Sequence, residues 1–184
     1  AAYFCPACGH NSAEQQFRLS LNGIRQTLNA LEDVRSAIPD KDVLENTIRL
    51  IVENGLQNAV TAFQRCIEAK FFEIDSTSKI RRNVFQNLFE GSQIWKGAIG
   101  KGYDAFINAK DLSFLRRAFQ QRHLLAHTQG IVDEDYLVKS NDKRYKVGQR
   151  IVVKTEEVLA CADLIENLVE AIISECVLIN AKLK

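Results

Sequence analysis

The sequence predicts an all-α domain, a bundle of about five helices with a short irregular or β-hairpin insertion before the last one. Three observations point there. Apolar residues recur at three- and four-residue steps along most of the chain, the spacing of one helical face. Capping and turn residues punctuate those runs. Alternating polarity, the mark of a half-buried strand, is confined to one weak stretch from Val147 to Val153.

The first ten residues stand outside this pattern. Cys5-Pro6-Ala7-Cys8-Gly9-His10 is a cysteine knuckle with turn residues. Helical periodicity then starts, with Ser12 as N-cap, and Phe17, Leu21, Ile24, Leu28 and Leu31 lie on one face until Pro39. A second helix runs from about Lys41 to about Phe72, capped by Asp40. Its stripe is Val43, Leu44, Ile48, Ile51, Val52, Leu56, Val60, Phe63 and Ile67, with Gly55 marking a weak point or a close helix contact. Glu73 to Ser78 reads as a loop. A third helix is expected from Lys79 to Glu90, and Gly91, Gly97, Gly100 and Gly102 then predict a loop with short helical pieces around Trp95. A fourth helix from about Asp111 to Thr128 places Leu112, Leu115, Phe119 and Leu125 on its apolar side, with Gly130 just past its end. After the looser stretch from Ile131 to Lys154, Thr155 caps a final helix carrying Val158, Ile165, Leu168, Val169, Ile172 and Ile179. Residues 1–11 are therefore a partial zinc-ribbon-like knuckle and residues 12–184 a helical domain.

Composition narrows the class. The 184 residues are 46% hydrophobic and 26% charged, so the chain can bury a core and is not intrinsically disordered. Two prolines and nine glycines exclude collagen-like and low-complexity classes. Five cysteines, an odd number, argue against a disulfide scaffold and for a reducing, cytoplasmic setting. No run approaches the roughly 18 apolar residues of a spanning helix, so no membrane partner is expected. The sequence lacks methionine altogether, from which a segment of a longer polypeptide is expected. The glycines around Trp95 do not follow the G-x4-G-K-S/T spacing that cradles phosphate.

Net charge is +1, from 24 Lys+Arg and 23 Asp+Glu, but it is unevenly placed. Between Lys79 and Lys154 there are 15 Lys+Arg against 7 Asp+Glu, and in the remainder 9 against 16. A basic centre attracts a phosphate-rich ligand, although a charge run is more often a solvated face. Arg116, Arg117, Lys139, Lys143, Arg144 and Lys146 are the candidate RNA-phosphate contacts. Tyrosines and the single tryptophan are scattered, so no single-strand stacking platform is expected.

The basic segment holds Arg122-His123-Leu124-Leu125-Ala126-His127, with two of the three histidines. Histidines at a helix end can simply complement the helix dipole. They can also move protons near neutral pH, while a guanidinium holds a phosphate and stabilises charge developing on it. Together they suit cleavage of RNA through its own 2′-hydroxyl without a metal. Arg122 and His127 lie about 140° apart around a regular helix. They converge only if the last turn frays or if a second copy completes the site. His123 and His127, at i and i+4, also have zinc-binding spacing, but the H-E-x-x-H form would need glutamate where Leu124 stands.

The R-x4-H run, its polar residue directly after the arginine, and the continuation Thr128-Gln129-Gly130-Ile131-Val132-Asp133 through Tyr136 resemble the HEPN superfamily. That resemblance implies an all-α domain and, for many members, a metal-independent ribonuclease in toxin–antitoxin, anti-phage or RNA-processing systems. It also implies a homodimer bringing two Arg/His motifs into one cleft, with an antitoxin or an upstream sensor domain as further partner. His127 would act as general base or acid on the 2′-hydroxyl and Arg122 would hold the scissile phosphate. His123 stands where the family often has asparagine and would orient His127 or contact RNA. Members without activity exist, which leaves a non-catalytic module binding RNA, nucleotide or protein as the alternative.

Cys5 and Cys8 look like half of a zinc ribbon; His10, two residues after Cys8, is a tight candidate for a third donor, a fourth would come from upstream sequence or another copy, and an inert knuckle is the alternative. That zinc would be structural; catalysis needs no cofactor. Cys66, Cys161 and Cys176 fall singly on helices and read as buried apolar residues. Elemental analysis before and after removal of the first ten residues separates the two metal readings. Zinc is expected to leave with the knuckle, whereas stoichiometric zinc retained by the remainder would place it at the histidines.

Overall fold

The computed structural model describes residues 12–182, and the knuckle with Cys5, Cys8 and His10 lies outside them. The described chain is all-α, 76% helical, with seven helices and no strand among the described residues. They are α1 (Ala13–Asn29), α2 (Leu31–Ala37), α3 (Lys41–Ile74), α4 (Leu88–Ile99), α5 (Ala109–His127), α6 (Glu134–Ser140) and α7 (Thr155–Lys182). None of them is long and apolar enough to cross a membrane.

Seven helices replace the expected five for local reasons. The first predicted helix is broken at Ala30, which sits at φ −82°, ψ 5°. Its second piece ends at Ala37, because Ile38 precedes Pro39 and is forced into extended geometry at φ −114°, ψ 105°. The expected helix from Lys79 to Glu90 does not form. Asn83 is left-handed at φ 59°, and a single 3₁₀ turn covers Val84–Gln86. Asn87 then starts α4 by accepting the backbone N–H groups of Phe89 and Glu90. Helix α4 runs straight through Gly91 and Gly97 and stops at left-handed Gly100, φ 77°. Helix α6 lies within the stretch expected to be irregular; Asp133 caps it by accepting the Tyr136 N–H at 2.7 Å. The final helix starts with Thr155 already inside it. Lys154 is the cap: its carbonyl accepts Glu157 and Val158, and Glu157 reaches back to its N–H at 3.4 Å.

Helix α3 is the axis. Helices α1 and α5 lie antiparallel to it and α7 parallel. Gly55 of α3 faces Ile24 of α1 and Val158 of α7, while the α1 end at Glu14 meets Lys70. Arg25 ties α1 to α7 through Asp163 and Glu166, both at 2.7 Å, and Arg18 adds Glu170 at 2.9 Å. On the other flank Phe119 of α5 packs edge-on against Phe63, with ring centroids 5.5 Å apart. At the far end Phe71 stacks with Trp95 of α4 and with Phe85.

A second, smaller core lies beyond α5, formed by Leu124, Val132, Tyr136 and Ile151. Its floor is the predicted hairpin arm, reduced to one antiparallel bridge between Ile131 and Arg150. Ile151 N–H donates to Gly130, Val132 N–H to Gln149, and Gly148 N–H to Val132. Gly130 must be glycine: its φ is +82°, and a Cβ would lie 3.3 Å from both Ile151 and Leu125.

Two glycines of α4 are expected to respond oppositely to alanine. A Cβ on Gly91 would sit 2.9 Å from the Tyr103 hydroxyl and 3.2 Å from Phe85, both buried. Gly91→Ala should cost about 1–3 kcal/mol through overpacking. A Cβ on Gly97 would meet nothing within 4 Å among the described residues. Gly97→Ala should stabilise by about 0.5–1 kcal/mol. Urea denaturation of both variants measures the difference.

Candidate functional site

Helix α5 carries the Arg/His motif. Asn108 caps it by accepting the Asp111 N–H at 2.9 Å. At the other end the Leu124 carbonyl accepts N–H groups from Thr128 and Gly130. The Thr128 hydroxyl lies 2.8 Å from the Ile131 carbonyl and 3.1 Å from that of Leu124, and so pins the turn. The helix therefore stays regular through His127, and the fraying that would bring Arg122 and His127 together within one chain does not occur.

The two ends of the motif face different surroundings. Arg122 lies three residues after Phe119 and seven after Leu115, both buried, so its side chain turns inward. It is half-buried, and Nη1 donates to Gln86 Oε1 at 2.8 Å. Gln86 in turn donates to Gln64, and Gln64 to Asn83 at 2.9 Å and Glu68 at 3.2 Å. The buried Arg122 Nε has no hydrogen-bond partner among the described residues. Burial lowers the pKa of this guanidinium.

His123 and His127 are both exposed, one turn apart, with ring centroids 4.5 Å apart and planes tilted by 48°. Among the described residues neither imidazole has a hydrogen-bond or ion-pair partner. Partial burial first, and then the positive charges of His127, Lys139 and Arg122, lower the pKa of His123, while Asp133 opposes. His123 is thereby biased toward the neutral form.

The six basic residues separate into committed and available. Arg144 clamps the Asp142 carboxylate through Nε and Nη2 and reaches Glu157 at 2.6 Å through Nη1. Asp142 is 5% exposed and also accepts the Tyr136 hydroxyl at 2.7 Å. Arg144 is thus an internal tie between α6, its following loop and α7. Lys139 pairs with Asp135 at 2.6 Å. Arg117 bonds Ser113 and lies over the Phe114 ring. Arg116, Lys143 and Lys146 are exposed, with no ion pair among the described residues.

Two tertiary features had no signal in the sequence. The Gln86–Gln64 relay that holds Arg122 joins residues far apart in the chain. Glu53, 7% exposed, is held by Arg150 at 2.8 Å across ninety-seven positions. As for metals, no group of three His, Cys, Asp or Glu among the described residues could hold an ion. Cys66 and Cys161 are buried, and burial pushes both thiols up to about 12, so they behave as apolar residues. Cys176 is half-buried and its thiol is also raised.

No family model, curated protein or solved structure matches the chain. The fold and site together define an all-α domain with an exposed histidine pair on one helix and an arginine held against its core.

Burial raises the Asp142 pKa, but the hydrogen bonds from Arg144 and Tyr136 outweigh it and hold the carboxyl at about 2. A carboxylate depressed on folding contributes stability above its unfolded value of about 3.9 and loses it as pH falls through the folded value. Asp142→Asn should therefore destabilise the protein by about 1–3 kcal/mol at neutral pH. It should also flatten the acid limb of stability between about pH 4 and pH 2. Thermal melts across that range test both.

Proposed function

We propose that this chain is a metal-independent endoribonuclease of the HEPN kind, working as a homodimer. The observation that carries this reading is the state of His127: an exposed, unpartnered imidazole beside a second imidazole, inside the basic half of the chain. Such a group is free to take a proton from a 2′-hydroxyl and return one to the leaving oxygen. Arg122 would supply charge to the scissile phosphate after exchanging its Gln86 contact for the phosphate, which requires the half-buried side chain to swing outward. On a straight α5 the two side chains diverge. The composite site consequently pairs the motifs of two copies, with His123 positioning His127. Arg116, Lys143 and Lys146 are the retained phosphate contacts, and the proposed setting is cytoplasmic defence or toxin–antitoxin chemistry.

A second reading has its own support. Arg122 is tied inward, and Arg144 and Lys139 are tied to carboxylates. A non-catalytic module that binds RNA, nucleotide or protein needs no more than this.

Incubation of RNA with protein in EDTA separates the two. The parent is expected to cleave, and His127→Ala and Arg122→Ala to lose activity by about 10²-fold or more. Cleavage by the parent that persists in His127→Ala would overturn the catalytic assignment, and no cleavage by any form favours the binding module. RNA affinity should also fall steeply with salt.

A further inference from the structure

We propose that His123 and His127 form a two-imidazole site for a divalent transition-metal ion, and that the bound ion switches off the proton transfer assigned to His127. The second half rests on the ribonuclease reading; the metal site does not.

The site is built by helix geometry. Residues four apart on an α-helix lie one above the other on the same face. Here the two rings face solvent, with centroids 4.5 Å apart. Metal–nitrogen bonds of about 2.0–2.1 Å span such a gap after small rotations of exposed side chains. An imidazole binds metal through an unprotonated nitrogen, and no hydrogen bond among the described residues occupies either ring. The ligand type selects the ion: imidazole suits zinc, nickel and copper(II), whereas magnesium and calcium demand oxygen.

The surroundings make the site weak and open. No third His, Cys, Asp or Glu among the described residues completes it, so water keeps the remaining positions. Asp133 lies near enough to act on His123 electrostatically, and Asp133 Oδ1 already accepts the Tyr136 N–H. The charge of Lys139 opposes a cation there but is paired with Asp135 at 2.6 Å. Such a site loads and unloads reversibly, in contrast to a closed structural zinc site.

The functional consequence follows from one lone pair. A histidine nitrogen coordinated to a metal cannot accept a proton from a 2′-hydroxyl. Metal binding here is therefore inhibitory, the reverse of what a metal-dependent hydrolase shows.

The test titrates nickel(II) into the full chain carrying Cys5→Ser and Cys8→Ser, so that knuckle thiolates do not compete. One equivalent per chain is expected, with affinity lowered by at least the roughly 10–100-fold that loss of a ligand's supporting partner costs, on adding either His123→Ala or His127→Ala. Unchanged binding in both variants overturns the site. If the serine variant does not fold, the parent chain is compared with its His123→Ala form, and the loss of one weaker equivalent is the expected result. A second arm measures RNA cleavage by the parent as nickel is added and then removed with EDTA. Inhibition that tracks occupancy and reverses supports the switch. Full cleavage at saturating nickel overturns the switch and the catalytic role of His127 with it. A protein that cleaves nothing in EDTA sinks the ribonuclease reading and the switch, while the titration still decides the metal site.

Discussion

The burial of α3 is the constraint on which the rest of the structure depends. This helix spans 34 residues from Lys41 to Ile74, and helices α1, α5 and α7 pack on different sides of it. A helix buried on several sides cannot show one clean apolar stripe. Its inward positions consequently include Ala59, Ala62 and Cys66 beside the Ile, Val and Phe residues. Small residues let neighbours approach: a Cβ on Gly55 would lie 3.3 Å from Val158 and 3.6 Å from Ile24. The close contact that Gly55 marks is thus a meeting of three helices.

The site is a consequence of that packing. Phe119, packed against Phe63 of α3, and the buried Leu115 fix the rotation of α5 about its own axis. Once that rotation is set, Arg122 must point toward the Gln86–Gln64 relay and His123 and His127 toward solvent. The Thr128 turn keeps the helix from loosening at His127. Beyond it, the clamp of Asp142 by Arg144 and Tyr136 holds α6 and the loop after it against α7. The basic surplus of the central segment is partly spent on such ties, which is why residues equivalent by composition are unequal as ligand contacts.

Much of the helical layout was legible because its signals are local. Ser12 accepts the Gln15 N–H and Asp40 accepts those of Asp42 and Val43, as their side chains and positions indicate. Helix α4 is hidden in the sequence because its glycines look like breakers. Gly91 is there for tertiary reasons, to admit the Tyr103 hydroxyl and Phe85. Helix α6 is only seven residues long, too short for a periodicity argument, and its stability comes from Tyr136 in the second core. The single Ile131–Arg150 bridge joins residues nineteen positions apart and carries no local signal of its own.

The sequence by itself determined the all-α class, the two long helices, the Asp40 cap that starts the first of them, and the helical spacing of Arg122, His123 and His127. Those properties depend on neighbours a few positions apart, and helical geometry converts spacing directly into direction. Only the tertiary structure decided which of these side chains is buried, which basic residues are already paired, and that α5 stays straight to its last residue. The burial of Arg122 and the pairing of Arg150 depend on groups tens of positions away, Gln86 with Gln64 for the first and Glu53 for the second. Burial and partner choice are set by where the whole chain folds back on itself, so no local pattern encodes them.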